Sequence, residues 1–228
     1  MVRDLIEERG PDANLNDIDT SNITDMSFLF DSCLNIKDID ISDWNIINVH
    51  NMEFMFGGCH NFIGSHLKNW DVSHVTNMSN MFNTCSKFTG KSIENWDVSH
   101  VFYMSKMFTQ CKNLDCNLNE WDVSSVKDMS EMFYSCFKFN SNLSKWDVSS
   151  VKNMYKMFSN CIKFKGDGLE SWKLNNLERA VRMFESCYNL STDLSNWDIS
   201  NIKSLRFMFY DCKSNILPDW YNKNFFED

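Results

Sequence analysis

One interval repeats along almost the whole chain. Trp44, Trp70, Trp96, Trp121, Trp146, Trp172 and Trp197 are each followed, 15 residues later, by a cysteine. Those cysteines are Cys59, Cys85, Cys111, Cys136, Cys161, Cys187 and Cys212. Ile18 and Cys33 keep the same distance, which makes an eighth unit without the tryptophan. A repeat of 25 or 26 residues specifies a solenoid, because a unit this short buries its apolar face only against its neighbours. The 228 residues therefore read as one elongated domain. Residues 1–17 form an N-terminal cap, 18–212 the solenoid and 213–228 a C-terminal cap.

The pattern within a unit suggests its path. Trp146 and Val148 alternate with Asp147 and Ser149, as in a strand with one buried face. From Val151 the spacing changes. Val151, Met154, Met157, Phe158 and Cys161 fall on one face of a helix, which Ser149 or Ser150 can cap. The expected fold class is α/β: a leucine-rich-repeat-like, right-handed solenoid. It has about eight coils, each a short parallel strand plus a short helix. The interval from cysteine to the next Leu or Ile is eight residues in some coils (Cys85 to Ile93) and seven in others (Cys111 to Leu118). The variable length therefore lies in the return loop. Thirteen of the 14 methionines occupy two registers of the apolar stripe, exemplified by Met154 and Met157, and read as core.

Cysteine usage follows the same ruler. Eight of the nine thiols share one register, and helices stacked at about 8–10 Å hold them too far apart to bridge. Cys116 alone stands outside the column. A disulfide between Cys111 and Cys116 and a pair of free thiols are both open.

Segments such as Trp70-Asp71-Val72-Ser73-His74-Val75-Thr76-Asn77-Met78 and Trp121-Asp122-Val123-Ser124-Ser125-Val126-Lys127-Asp128-Met129 resemble the 26-residue repeat of bacterial surface proteins. That repeat is common in mycoplasma and Listeria-type lipoproteins and is related to BspA-like leucine-rich repeats. The resemblance runs from about Ile18 to Cys212. It implies a solenoid at a cell surface or secreted, with adhesion or host-protein binding as its role, and it brings no catalytic residues. The seventh unit departs from the pattern at Lys173, Asn175 and Ala180, and the second at Asn45 and Ile47. The charged start, Met1 to Arg9, has no apolar stretch like that of a signal peptide. A chain complete as written is therefore expected to stay inside the cell, and no transmembrane segment is expected.

Three constellations are candidates for chemistry. Asp71, Asp97, Asp122 and Asp147 recur in four consecutive coils. Such a column either holds a cation or accepts hydrogen bonds inside its own turns; the second is the preferred reading. The five histidines show no zinc-ligand spacing. No nucleophile elbow, phosphate loop or dinucleotide fingerprint occurs. No catalytic, cofactor or metal site is expected. The net charge of −9 and the lack of a basic run argue against nucleic acid as partner. Candidate partner-binding residues are aromatics where other coils carry polar groups: Phe102, Tyr103, Tyr155 and Phe207. The expected function is a non-enzymatic scaffold for protein recognition. The alternative is a structural spacer stiffened by cations along the aspartates.

Overall fold

A computed structural model describes residues 2–212 and 217–221. The chain winds as a solenoid in which residues 25 or 26 apart sit side by side. Single-residue parallel bridges mark the stacking: Asp25 to Asn51, Asn51 to Asn77, Asn77 to Tyr103, and on through Asp128, Asn153 and Arg179 to Ser204. One α-helix occurs among the described residues, α1 (Val2–Arg9). It lies against the first coil, where the Arg3 guanidinium donates to the carbonyl oxygens of Phe28 and Asp31.

The helix expected in each coil is absent, and the strand lies elsewhere. The bridge falls at Asn153, inside the segment read as helical, and not at Trp146–Val148. Lys156 and Asn160, also inside that segment, have φ of 51° and 62°, which no right-handed helix accommodates. A series of tight turns replaces the helix. Val151 donates to Val148, Met157 to Met154, Cys161 to Phe158 and Phe164 to Cys161, each three residues back, the bond of a β-turn. Turns of this length bring every third residue inward. They therefore imitate the spacing of a helical face, which is why the pattern misleads. The inward assignment itself agrees: Trp146, Val148, Val151, Met154, Met157, Phe158 and Cys161 are all at most 3% exposed.

Left-handed backbone recurs at two registers in all eight coils. One runs Phe28, Phe54, Asn80, Lys106, Glu131, Lys156, Arg182 and Phe207; the other runs Ser32, Gly58, Thr84, Gln110, Ser135, Asn160, Ser186 and Asp211. Each non-glycine position costs about 1–2 kcal/mol. The turn orients its middle peptide along the solenoid axis, where it bonds the next coil. Lys156 N donates to Val181 O at 3.0 Å, and Glu131 N to Tyr155 O at 2.7 Å. Burial of the core phenylalanine between the two turns contributes about 1.5–3 kcal/mol, which offsets the strain together with the axial hydrogen bonds.

Side-chain ladders fill the interior. The Phe56, Phe82 and Phe108 rings stack at 5.7 and 5.8 Å. Trp44, Trp70 and Trp96 follow at 6.4 Å. Each indole N–H finds a carbonyl in the preceding coil, as Trp146 does with Leu118 at 2.7 Å and Trp172 with Leu143 at 3.1 Å. Buried indoles need such an acceptor. The cysteines do the same: Cys85 Sγ donates to Phe56 O at 3.0 Å and Cys161 Sγ to Phe133 O at 2.9 Å. Because no helices separate the coils, helix spacing does not explain why these thiols stay apart. No disulfide joins the cysteines of the described residues, Cys111 and Cys116 included. Burial raises the Cys59 thiol to about 12 and pushes Cys85 and Cys136 well up.

Length variation is absorbed in the return segment. Three of the longer segments close on short 3₁₀ turns, Ser65–Leu67, Lys91–Ile93 and Leu169–Ser171. Each is entered through a glycine of positive φ. At Gly168 (φ 95°) a Cβ would stand 2.3 Å from the Ser144 nitrogen. The segment expected to form a C-terminal cap, 213–228, lies outside the described residues apart from 217–221. There Trp220 Nε1 donates to Leu194 O at 3.0 Å, repeating the indole bond of the coils.

Candidate interaction surface

The outward aspartates act within their own turns. Asp71 Oδ1 accepts the Ser73 amide at 3.1 Å and its hydroxyl at 2.6 Å. Asp97, Asp122 and Asp147 each accept the amide two residues on, at 3.0, 3.0 and 2.9 Å. These serine hydrogen bonds hold Asp71, Asp97 and Asp147 below the usual carboxylate value. In the second coil Asn45 Oδ1 accepts the Ile47 amide at 3.2 Å, so a neutral side chain performs the same task. Among the described residues no three His, Cys, Asp or Glu side chains gather as a metal site would require.

A second column of Asx side chains runs along the parallel bridges. Asp25, Asn51, Asn77, Asp128 and Asn153 each accept the amide two residues on. Some also bond across coils: Asn51 Nδ2 donates to Asp25, and Asn153 Nδ2 to Asp128, both at 3.2 Å. Tyr103 interrupts this column. Its backbone keeps the bridge, with Met78 N donating to Tyr103 O at 2.9 Å, but its side chain is 52% exposed. Phe102, beside it, is 41% exposed where the same register holds Thr76 and Lys127. The two rings form an open aromatic step in a polar face.

Tyr155 and Phe207 do not join that step. The Arg179 guanidinium lies 4.4 Å from the centre of the Tyr155 ring. The Arg182 guanidinium lies 4.9 Å from that of Phe207. Both arginines come from the seventh coil, the one that departs most from the repeat, and each covers an aromatic face by cation–π contact. The four candidates therefore divide into one open pair and two rings covered by arginine.

Two features escaped the sequence reading. Phe28 and Phe54 stack at 5.2 Å on the surface, and Phe28 is half exposed. Their signal was present: both occupy a register that is polar in most later coils. At the N-terminal end a cavity of about 560 Å³ opens beside α1, lined by Val2, Ile18, Ile23, Met26, Leu29 and Trp44 among others. It lies where the first coil has Ile18 in the tryptophan register.

The family described as "Mycoplasma protein of unknown function, DUF285" matches over residues 10–89, 61–172 and 142–224. The chain belongs to this family. The assignment agrees with the resemblance carried by the Trp-Asp-Val-Ser segments. No curated protein matches the sequence. Among solved structures, a leucine-rich repeat protein from Eubacterium ventriosum is 17% identical over 83% of this chain, with a TM-score of 0.36. This chain spans 40% of that protein's length. A leucine-rich cell surface protein from Faecalibacterium prausnitzii is 13% identical over 87% of this chain and 76% of its own, with a TM-score of 0.27. Among the described residues no helix is long and apolar enough to cross a membrane.

Proposed function

We propose that this chain is a non-enzymatic recognition scaffold of the surface-protein type, whose outward side chains bind another protein in adhesion or host interaction. Residues 1–17 and 213–228 serve as its caps. The observation that carries the reading is the Phe102–Tyr103 step. A ladder that keeps an Asx side chain in five of the eight coils gives up that side chain for a tyrosine more than half exposed. An aromatic pair on a rigid, polar platform is the composition of a binding hot spot. Membership of a repeat family without catalytic residues supports the non-enzymatic part. The spacer alternative draws less support, because the aspartates assigned to its cations are engaged by serine groups.

The test uses the chain as bait beside a Phe102→Lys/Tyr103→Asn variant, which restores residue types found at these registers in other coils. The variant is expected to fold with an unchanged melting temperature and to lose partners that the natural chain retains. Identical retention by both proteins would remove the aromatic step from the function.

A further inference from the structure

We propose that a lysine edge on the third to sixth coils binds an acidic, carboxylate-rich peptide segment laid along the solenoid axis. Lys87, Lys112, Lys138 and Lys163 follow the cysteines of four consecutive coils by one or two residues, and all are exposed. Lys91 and Lys165 extend the same return segments and are exposed too. Lys87, Lys91 and Lys138, with Thr89, Asn113 and Asp115, line a depression of about 340 Å³. This edge is separate from the Phe102–Tyr103 step and does not depend on it.

The argument turns on compensation. Stacked coils repeat at about 4.8 Å, so Lys138 and Lys163 are anchored one coil spacing apart, and like charges so placed repel. Four lysines elsewhere on the solenoid meet a glutamate of a neighbouring coil, whereas Lys68, Lys127, Lys152 and Lys173 have no ion pair among the described residues but do not recur over four consecutive coils. Lys106 faces Glu131, Lys145 faces Glu120, Lys156 faces Glu185 and Lys203 faces Glu178. On this edge Lys91 meets Glu94 at 3.4 Å, and the Lys112 ammonium lies 5.9 Å from the Phe137 ring. Among the described residues Lys87, Lys138, Lys163 and Lys165 have no ion pair. Asp115 is the one carboxylate lining the depression. In a chain of net charge −9, a basic edge left unneutralised by its own fold is a place for an outside anion.

The side chains select the anion's class. The edge carries no arginine, the residue whose planar fork suits phosphate and sulfate. It offers one partly exposed aromatic ring, Phe137, and not the series of platforms on which bases stack. Ammonium groups pair with carboxylates as point charges. Three coil intervals span about 14 Å, the length of four to five extended residues at about 3.3 Å each.

Fluorescence anisotropy of labelled deca-glutamate against the full chain tests this, at 20 and 150 mM salt. Saturable binding is expected, weakened at least fivefold by the higher salt. Lys87→Glu/Lys138→Glu/Lys163→Glu should weaken it at least tenfold, and the milder Lys→Gln triple at least threefold, guarding against a folding defect. Lys106→Glu/Lys145→Glu/Lys203→Glu, which changes the net charge equally, should stay within threefold of the natural chain. Equal losses in the two reversal triples, or no saturable binding at 20 mM salt, would overturn the proposal. So would competition by oligothymidylate or heparin at lower concentration than unlabelled deca-glutamate.

Discussion

The first coil and the fifth turn through the same path but bury it differently. Val126 of the fifth coil is fully buried, whereas Ile23 in the same register of the first is 40% exposed. Phe133 packs against Phe108, Phe139, Phe158 and Trp146. Phe30, its counterpart, packs against Trp44 and Phe56. Cys136 is fully buried and Cys33 only partly so. The left-handed turns and the axial hydrogen bonds are nonetheless the same in both, as Phe28 N to Glu53 O and Glu131 N to Tyr155 O show. The backbone of a coil is therefore set by bonding to one neighbour, while the burial of some side chains, Ile23 and Cys33 but not Phe30 or Met26, depends on the second. The N-terminal cavity is the visible result of the missing second neighbour.

This contrast can be broken most directly at the phenylalanine ladder. Phe133→Ala should cost about 3–5 kcal/mol, the usual range for a fully buried aromatic. Phe30→Ala should cost less, because two of the four ring contacts are absent there. Urea unfolding of both variants measures the difference, and equal costs would show that coil position does not matter. A smaller effect of opposite sign is expected at the cavity. Ile18→Trp places an indole beside Trp44 and should stabilise the chain by about 1 kcal/mol, the scale of a cavity-filling change. A lower melting temperature would mean that α1 blocks the tryptophan position.

The smallest effect concerns the turns. Serine hydrogen bonds hold Asp71, Asp97 and Asp147 below the usual carboxylate value. A depressed folded-state pKa stabilises the fold above the unfolded value, and that contribution is lost as pH falls through the folded one. The melting temperature should therefore be level from pH 7 to pH 5 and begin to fall only below about pH 4. Asp71→Asn/Asp97→Asn/Asp147→Asn should still fold, since Asn45 already holds this turn in the second coil. Its acid limb should be shallower. An identical acid limb would place the titration elsewhere.

The ruler of tryptophan and cysteine was legible because burial leaves it little freedom: every indole it names, and each of its thiols from Cys59 to Cys212, finds a carbonyl one coil back. The same applies to the variable return segment, whose extra residue becomes a 3₁₀ turn in three coils. The path between was not legible. Lys156, Glu131 and Arg182 give no sign in their side chains of the left-handed backbone they adopt, since a glycine, the usual signal, occurs there only at Gly58. A turn closed by its neighbour's carbonyl is invisible to any reading of one unit alone. The site was legible in half. Phe102 and Tyr103 declare themselves as breaks in a polar register. The arginines that cover Tyr155 and Phe207 come from an adjacent coil and could not be counted against them.

The axial hydrogen bonds also govern how such a chain can change in length. Each joins residues about one unit apart, as Lys152 N to Lys127 O and Glu178 N to Lys152 O, 25 and 26 positions back, and Glu131 N to Tyr155 O, 24 positions on. Loss of a few residues between Trp and Cys would shift every later partner out of step on both sides of the cut. Loss of one complete unit would return the next coil to the same donors and acceptors. Growth and shrinkage of the molecule therefore proceed in whole coils, and the single residue gained or lost in a return segment is the one small change the stack admits.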